Sequence, residues 1–289
     1  MKICATIPEA RAACRDVRRD AHPGRKRLGL IPTMGALHEG HLSLVRAAKA
    51  QCDAVAVSIF VNPTQFGPTE DLSKYPRQFE RDCRLLEKEG VEILFAPSVE
   101  EIYPSRTTEG SVTWVTVEGL SEKLDGRSRP GHFRGVTTIV AKLFNIIEPD
   151  AAFFGQKDAA QLAVIRRMVR DLNFAIEIVA GPIVREADGL AMSSRNAYLN
   201  RDERSRALVL QRSLLCAQHE FLAGERIAAE LISIGKQVLA SEPGVVLDYF
   251  EVVDPDTLDP VERISRRALV AVAAYVGSTR LIDNLLFDV

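Results

Sequence analysis

Short, nearly unbroken apolar runs recur through the first two thirds of the chain, each followed by a polar or glycine-containing turn and then by apolar residues at helical spacing. The runs cover residues 27–32, 54–61, 91–95, 151–154 and 176–180. Strands of that kind lie buried on both faces of a parallel sheet. Helical patterns separate them, at 7–19, from 42 to about 51, at about 76–89, at 136–147 and from 159 onward. Leu42, Leu44, Val45 and Ala48 mark the second pattern, Ile139, Val140, Leu143, Phe144 and Ile147 the fourth, and Leu162, Ile165, Met168 and Val169 the last. Alternation of strand and helix predicts an α/β fold with a doubly wound, Rossmann-like parallel sheet. Pro23 and Gly24 break the chain before the first strand. Residues 111–118 alternate in the strand manner. Residues 126–135, dense in Gly and Arg, read equally as a mobile basic loop over an anionic ligand and as a solvated turn.

From Asp202 the texture changes. Helical segments at 204–222 and 226–240 precede strands at 246–253, 268–275 and 281–287, which predicts a smaller α+β domain at the C-terminus. The boundary falls near Val184, giving a domain of residues 1–184 that binds the ligands and a lid of residues 185–289. No internal repeat or low-complexity tract interrupts either part.

The stretch Pro32-Thr33-Met34-Gly35-Ala36-Leu37-His38-Glu39-Gly40-His41 lies between the first strand and the helix after it. The free N–H groups of a helix N-terminus, with the positive end of its dipole, stabilise an anion placed there. His38 and His41, one turn apart, converge on the same face. Three readings compete: zinc ligands, capping or core histidines, and donors to a nucleotide phosphate. Zinc is the weakest, since the metalloprotease helix spaces its histidines by four and His22, His132 and His219 are scattered. The second strand ends in a polar turn where Asn62 and Gln65 read either as substrate contacts or as turn residues. Gly155-Gln156-Lys157-Asp158 repeats the arrangement after the strand at 151–154. There Lys157 can neutralise phosphate, Asp158 can hold a ribose hydroxyl, a magnesium water or the helix cap, and Gln161 faces the same side.

Composition narrows the partners. The chain has 289 residues, 46% of them hydrophobic, enough for a sizeable core and two domains. Its 37 basic and 39 acidic residues leave a net charge of −2, no global field for gripping a nucleic acid, which leaves only a local patch for that purpose. No run approaches membrane-spanning length and the N-terminus lacks a signal-peptide core, so neither a membrane nor export is expected. Cys4, Cys14, Cys52, Cys83 and Cys216 form no CxxC pair and read as reduced thiols in a cytoplasmic protein.

The HxGH pattern resembles the nucleotide signature of the adenylyl-transferring superfamily that includes class I aminoacyl-tRNA synthetases. The strings PTMGALHEGH, SIFVNPTQF, SRPGHFRGV, FFGQKD, MSSRNAYL and RLIDN, in that order, resemble the pantothenate synthetase family over nearly the whole length. Gln156, where many members carry Glu, and Ala160, where Gln is frequent, depart from it. The resemblance implies a homodimeric cytoplasmic ligase that joins (R)-pantoate to β-alanine through a pantoyl adenylate, using ATP and Mg²⁺, with no fixed metal site on the protein. It places His38, His41, Lys157 and Arg195 in catalysis. ATP would be held by Met34, Gly35, Ala36, Leu37, Glu39 and Gly40 around the histidines, by Gly155, Gln156 and Asp158 around the lysine, and by Val184, Met192, Ser193 and Ser194 before the arginine. Gln65, Gln161 and Asn62 would surround pantoate and β-alanine. A nucleotidylyltransferase acting on a phosphorylated substrate, and a nucleotide sensor without chemistry, are the rival readings; the first needs a cationic pocket where Gln65 and Gln161 are neutral.

Overall fold

The computed structural model describes residues 1–19, 26–68, 70–104 and 113–289. Pro23, Gly24, His22 and the start of the 111–118 segment lie outside them. In chain order the regular elements begin β1 (Lys2–Cys4), α1 (Ile7–Arg19), β2 (Leu28–Thr33), α2 (Glu39–Gln51), β3 (Ala54–Ile59), α3 (Phe79–Lys88), β4 (Ile93–Phe95) and α4 (Val99–Ile102). Next come α5 (Asp125–Ser128), α6 (His132–Ile147), β5 (Ala151–Gly155), α7 (Ala159–Asp171) and β6 (Glu177–Gly181). The last third holds α8 (Arg201–Ala207), α9 (Val209–Leu222), α10 (Ala228–Ala240), β7 (Val245–Val253), β8 (Ala268–Val276) and β9 (Thr279–Phe287).

The first six strands form one parallel sheet in the order β1-β4-β3-β2-β5-β6. Both faces are covered, which is why its strands read as continuous apolar runs. In β3, Ala54 and Ala56 face a core built with α1, α6 and α7, while Val55 and Val57 face a second core with α2 and α3. Strand order runs outward from β2 through β3 to β4, then restarts at β5 on the other side of β2. The carboxyl ends of β2 and β5 therefore flank the crevice where doubly wound sheets bind ligands.

The three remaining strands make an antiparallel sheet, β7-β8-β9. Its middle strand is apolar on both faces: Val270 and Val272 pack on α9 and α10, whereas Leu269, Ala271 and Ala273 join the core of the parallel-sheet domain. That double burial accounts for the longest apolar run in the chain.

Four expectations change. Residues 113–118 form no strand, and at their centre Val115 is tied to side chains of α6: its N–H donates to the Thr138 hydroxyl at 3.0 Å, and the Thr137 hydroxyl donates to its O at 2.6 Å. Residues 126–135 are mostly helical, with residues 129–131 left as a turn in which Pro130 and Gly131 are exposed. They span α5 and the first turn of α6, and Gly135 lies so close to the 62–65 turn that a Cβ would come within 2.4 Å of Thr64 O. The segment 204–222 is two helices, broken at Leu208, and begins earlier, where Asn200 accepts the N–H groups of Asp202 and Glu203. Finally, β1 carried no periodic signal, being a three-residue edge strand with only Cys4 buried.

Candidate active site

The loop after β2 is built around one buried carboxylate. Gly35 and Ala36 adopt left-handed φ values of +81° and +49°, a conformation uncommon for alanine. Asp82 of α3, 1% exposed, holds them there by accepting the N–H of Ala36 at 2.8 Å and of Leu37 at 2.9 Å. Burial raises the Asp82 carboxyl above its usual range, with the two N–H bonds opposing. The turn delivers His38 to the N-cap of α2 and His41 to its first turn.

The imidazole rings stand 4.1 Å apart between centroids, and the His38 backbone N–H points at Nδ1 of His41 at 3.4 Å. Burial, then the Lys157 charge, pushes His38 down to about 4; burial, then His38 and Lys157, pushes His41 down to about 3. Both are neutral near pH 7. With Nδ1 of His41 accepting, its proton sits on Nε2 as a donor. Gly40 makes room for the pair, since a Cβ there would lie 2.9 Å from the His38 ring.

Across the crevice, the turn Gln156–Asp158 after β5 presents Lys157, 19% exposed, with Asp158 at 3.8 Å. The third wall is the loop after β6, where Met192 N–H donates to Val184 O at 2.9 Å and the Ser193 hydroxyl accepts from Arg195 N–H at 3.3 Å. Ser194 Oγ lies 3.2 Å from Tyr75 OH, and Arg195 makes two bonds to Asp71 at 2.9 and 3.0 Å.

The fourth wall is the turn after β3. Buried Asn62 accepts from Tyr103 OH and Thr64 Oγ1 and donates to Gly135 O and Gln65 Oε1. Its side chain is committed to the protein, so it orients Gln65, whose Nε2 faces Met34 Sδ at 3.0 Å. His132 holds the same turn from behind. Arg129 Nη1, 3.0 Å from Nε2 of His132, has no acceptor to offer, so Nε2 accepts and Nδ1–H donates to Gln65 O at 2.8 Å. Burial, then the Arg129 charge, pushes His132 down to about 3, which keeps that neutral tautomer.

These walls enclose a cavity of about 210 Å³. Met34, His38, Gly40, His41, Asn62, Gln65, Gly155, Lys157, Asp158, Gln161, Val184, Met192, Ser193, Ser194 and Arg195 all line it. Lys157, Asp158, Gln161, Ser193 and Arg195 also line a neighbouring cleft of about 720 Å³ that reaches β9. Five expected ligand residues do not line either space. The N–H groups of Ala36 and Leu37 are spent on Asp82, that of Gly35 on Thr33 Oγ1, Glu39 is exposed and pairs with Arg46, and Gln156 turns to Asn284. Asp82, Tyr75, Arg129 and His132 were not foreseen as site residues. His132 stood in a quoted motif, while Asp82 is one acid among several charges on α3 and carries no local signal.

Among the described residues no group of three His, Cys, Asp or Glu stands together as metal ligands, and no helix is long and apolar enough to cross a membrane.

A doubly wound sheet with an HxGH helix start, a lysine turn and a Ser-Ser-Arg loop at its switch point defines a nucleotide-binding α/β enzyme. The family model described as Pantoate-beta-alanine ligase matches residues 2–286, and the chain belongs to that family. A pantothenate synthetase of Acidobacterium capsulatum is 61% identical over 293 residues, covering 99% of this chain and 97% of the relative. The crystal structure of the Thermus thermophilus pantothenate synthetase superposes with a TM-score of 0.90 at 46% identity, covering 99% of both chains. A pantoate-beta-alanine ligase from Francisella tularensis, solved in complex with beta-gamma ATP and beta-alanine, superposes at 0.76 with 33% identity, covering 99% of this chain and 97% of that one.

Proposed function

We propose that this chain condenses (R)-pantoate with β-alanine in two steps inside the cavity at the β2/β5 switch point. The pantoate carboxylate attacks the α-phosphorus of ATP, giving pantoyl adenylate and pyrophosphate; the β-alanine amine then attacks the acyl carbon and AMP leaves. The observation that carries the reading is the convergence of neutral imidazole donors, a lysine and a Ser-Ser-Arg loop on one small space that the Gln65 and Gln161 amides also line. Charge developing on the α-phosphate and departing pyrophosphate meets donors already in place.

His41 donates from Nε2, with His38 beside it on the same helix start. Lys157 carries the positive charge facing them, and Ser193, Ser194 and Arg195 grip the polyphosphate from the loop after β6. Met34, Gly40 and Val184 border the adenine side, where Val184 offers backbone groups. Gln65 and Gln161 bind pantoate; neither carries the cation that a phosphorylated substrate of a nucleotidylyltransferase would require. Mg²⁺ bound with ATP would neutralise charge on its phosphates, and Asp158, half exposed at the cavity wall, is the carboxylate that would hold one of its waters.

The same proposal divides the chain into residues 1–184, which bind ATP and pantoate, and a lid of 185–289, and makes it a cytoplasmic homodimer. Five free cysteines suit a reducing compartment. The test is AMP release: it should require pantoate and β-alanine together, and AMP formed with ATP alone or with another acid would refute the assignment.

A further inference from the structure

The string RLIDN near the C-terminus lies on β9, in the antiparallel sheet, yet its last two residues reach both loops of the site. Asn284, 2% exposed, donates both amide hydrogens to consecutive carbonyls, Gln156 O at 3.0 Å and Lys157 O at 2.9 Å, and its Oδ1 accepts from Gln156 Nε2 at 3.2 Å. The neighbouring Asp283 accepts two bonds from Arg185 at 2.7 and 3.0 Å, and its Oδ1 also accepts the Asn284 N–H at 2.8 Å. Arg185 follows Val184 at the root of the loop that carries Ser193 to Arg195.

We propose that Asn284 is a positioning residue for adenylate formation, fixing the Gln156–Asp158 turn, and with it Lys157, to the C-terminal domain. The inference rests on the role given to Lys157. Only a carboxamide supplies two hydrogens and an acceptor at this size: Asp has no donor and Ser has one. Asn284 itself is buried, so water has little access to its amide, and the turn makes no other hydrogen bond to β9 among the described residues. Because Asp283 anchors the opposite loop from the adjacent position, a shift of β9 moves Lys157 and the Ser-Ser-Arg loop together. Asn284 touches no substrate; its effect passes through the lysine.

The experiment is pantoate-dependent exchange of labelled pyrophosphate into ATP, run on the full-length chain with Asn284→Ala, Asn284→Asp, Lys157→Ala and the Asn284→Ala/Lys157→Ala pair. Both Asn284 variants are expected to lose between about tenfold and a hundredfold in kcat, with KM for pantoate within about threefold, as displacement of a catalytic group by a fraction of an ångström does. In the Lys157→Ala background the Asn284 change should add nothing, because its route of action is gone. Wild-type exchange by Asn284→Asp, which keeps the volume and loses the donors, would overturn the proposal. So would losses that multiply in the double variant, or a loss confined to KM. Should Asn284→Asp fail to give a cooperative thermal transition, Asn284→Ala, which buries no charge, decides the matter. Unimpaired exchange by Lys157→Ala alone would instead remove the role of Lys157 itself, a distinct failure.

Discussion

Asp71 holds Arg195 in a two-bond ion pair at 2.9 and 3.0 Å, on the wall of the cleft where the arginine is assigned to phosphate. Burial alone would raise the Asp71 carboxyl, but the guanidinium more than offsets it and keeps the group ionised below its usual range. A polyphosphate must compete with that carboxylate. Asp71→Asn should therefore tighten ATP binding by about threefold to tenfold at low salt, near the 1 kcal/mol that a partly exposed pair is worth, with the gain shrinking as salt rises. Calorimetric titration reads this directly. Weaker ATP binding would mean that Asp71 chiefly orients Arg195.

The buried acceptor under the histidine loop should matter for stability as well as binding. Asp82→Ala leaves the N–H groups of Ala36 and Leu37 without a partner and releases a left-handed alanine, at a cost of about 2–4 kcal/mol. Urea unfolding measures the loss, and ATP affinity should fall with it. An unchanged midpoint would show that the turn holds itself.

His41→Ala or Lys157→Ala should lower adenylate formation by roughly a hundredfold or more, the loss typical of one transition-state donor, with the fold intact. Rapid-quench measurement of enzyme-bound pantoyl adenylate checks it. Near wild-type single-turnover rates in either variant would remove that residue from the mechanism.

Gln65→Glu keeps the acceptor that Asn62 uses but replaces the Nε2 donor, which now faces Met34 Sδ, by negative charge opposite the carboxylate of the pantoate proposed to bind there. Pantoate affinity and single-turnover adenylation should drop by several kcal/mol in a dry site, with ATP affinity nearly unchanged. Equal losses for both ligands would contradict the assignment of Gln65 to pantoate.

The histidines set an acid sensitivity. His38 is held at about 4 and His41 and His132 at about 3, all below their unfolded value of about 6.5. A depressed folded pKa gives stability that is complete above the unfolded value and lost as pH falls toward the folded one. Urea midpoints should decline from pH 7 to 5.5, before most carboxylates titrate, and the decline should be shallower in His132→Asn. A variant with the wild-type slope would show that His132 takes up its proton without unfolding the turn it supports.

The sequence by itself determined the layers and the chemical inventory. Apolar runs such as 54–61 pointed to strands buried on both faces, and the junctions after β2, β3 and β5 placed His38, His41, Asn62, Gln65 and Lys157 at the ends of such strands, because period and turn chemistry are local. Only the tertiary structure decided which polar groups face the ligand and which serve one another. Ala36 and Leu37 stand directly before the HxGH motif but spend their N–H groups on Asp82, 46 and 45 residues away, respectively. Residues 113–118 alternate like a strand, yet Val115 bonds through its backbone to the Thr137 and Thr138 side chains of α6. Asn284 and Lys157, 127 residues apart, meet because one domain's edge packs against the other's ligand crevice. Hydrogen-bond partners at such separations are set by how the two sheets pack together, and no local pattern in the chain encodes that.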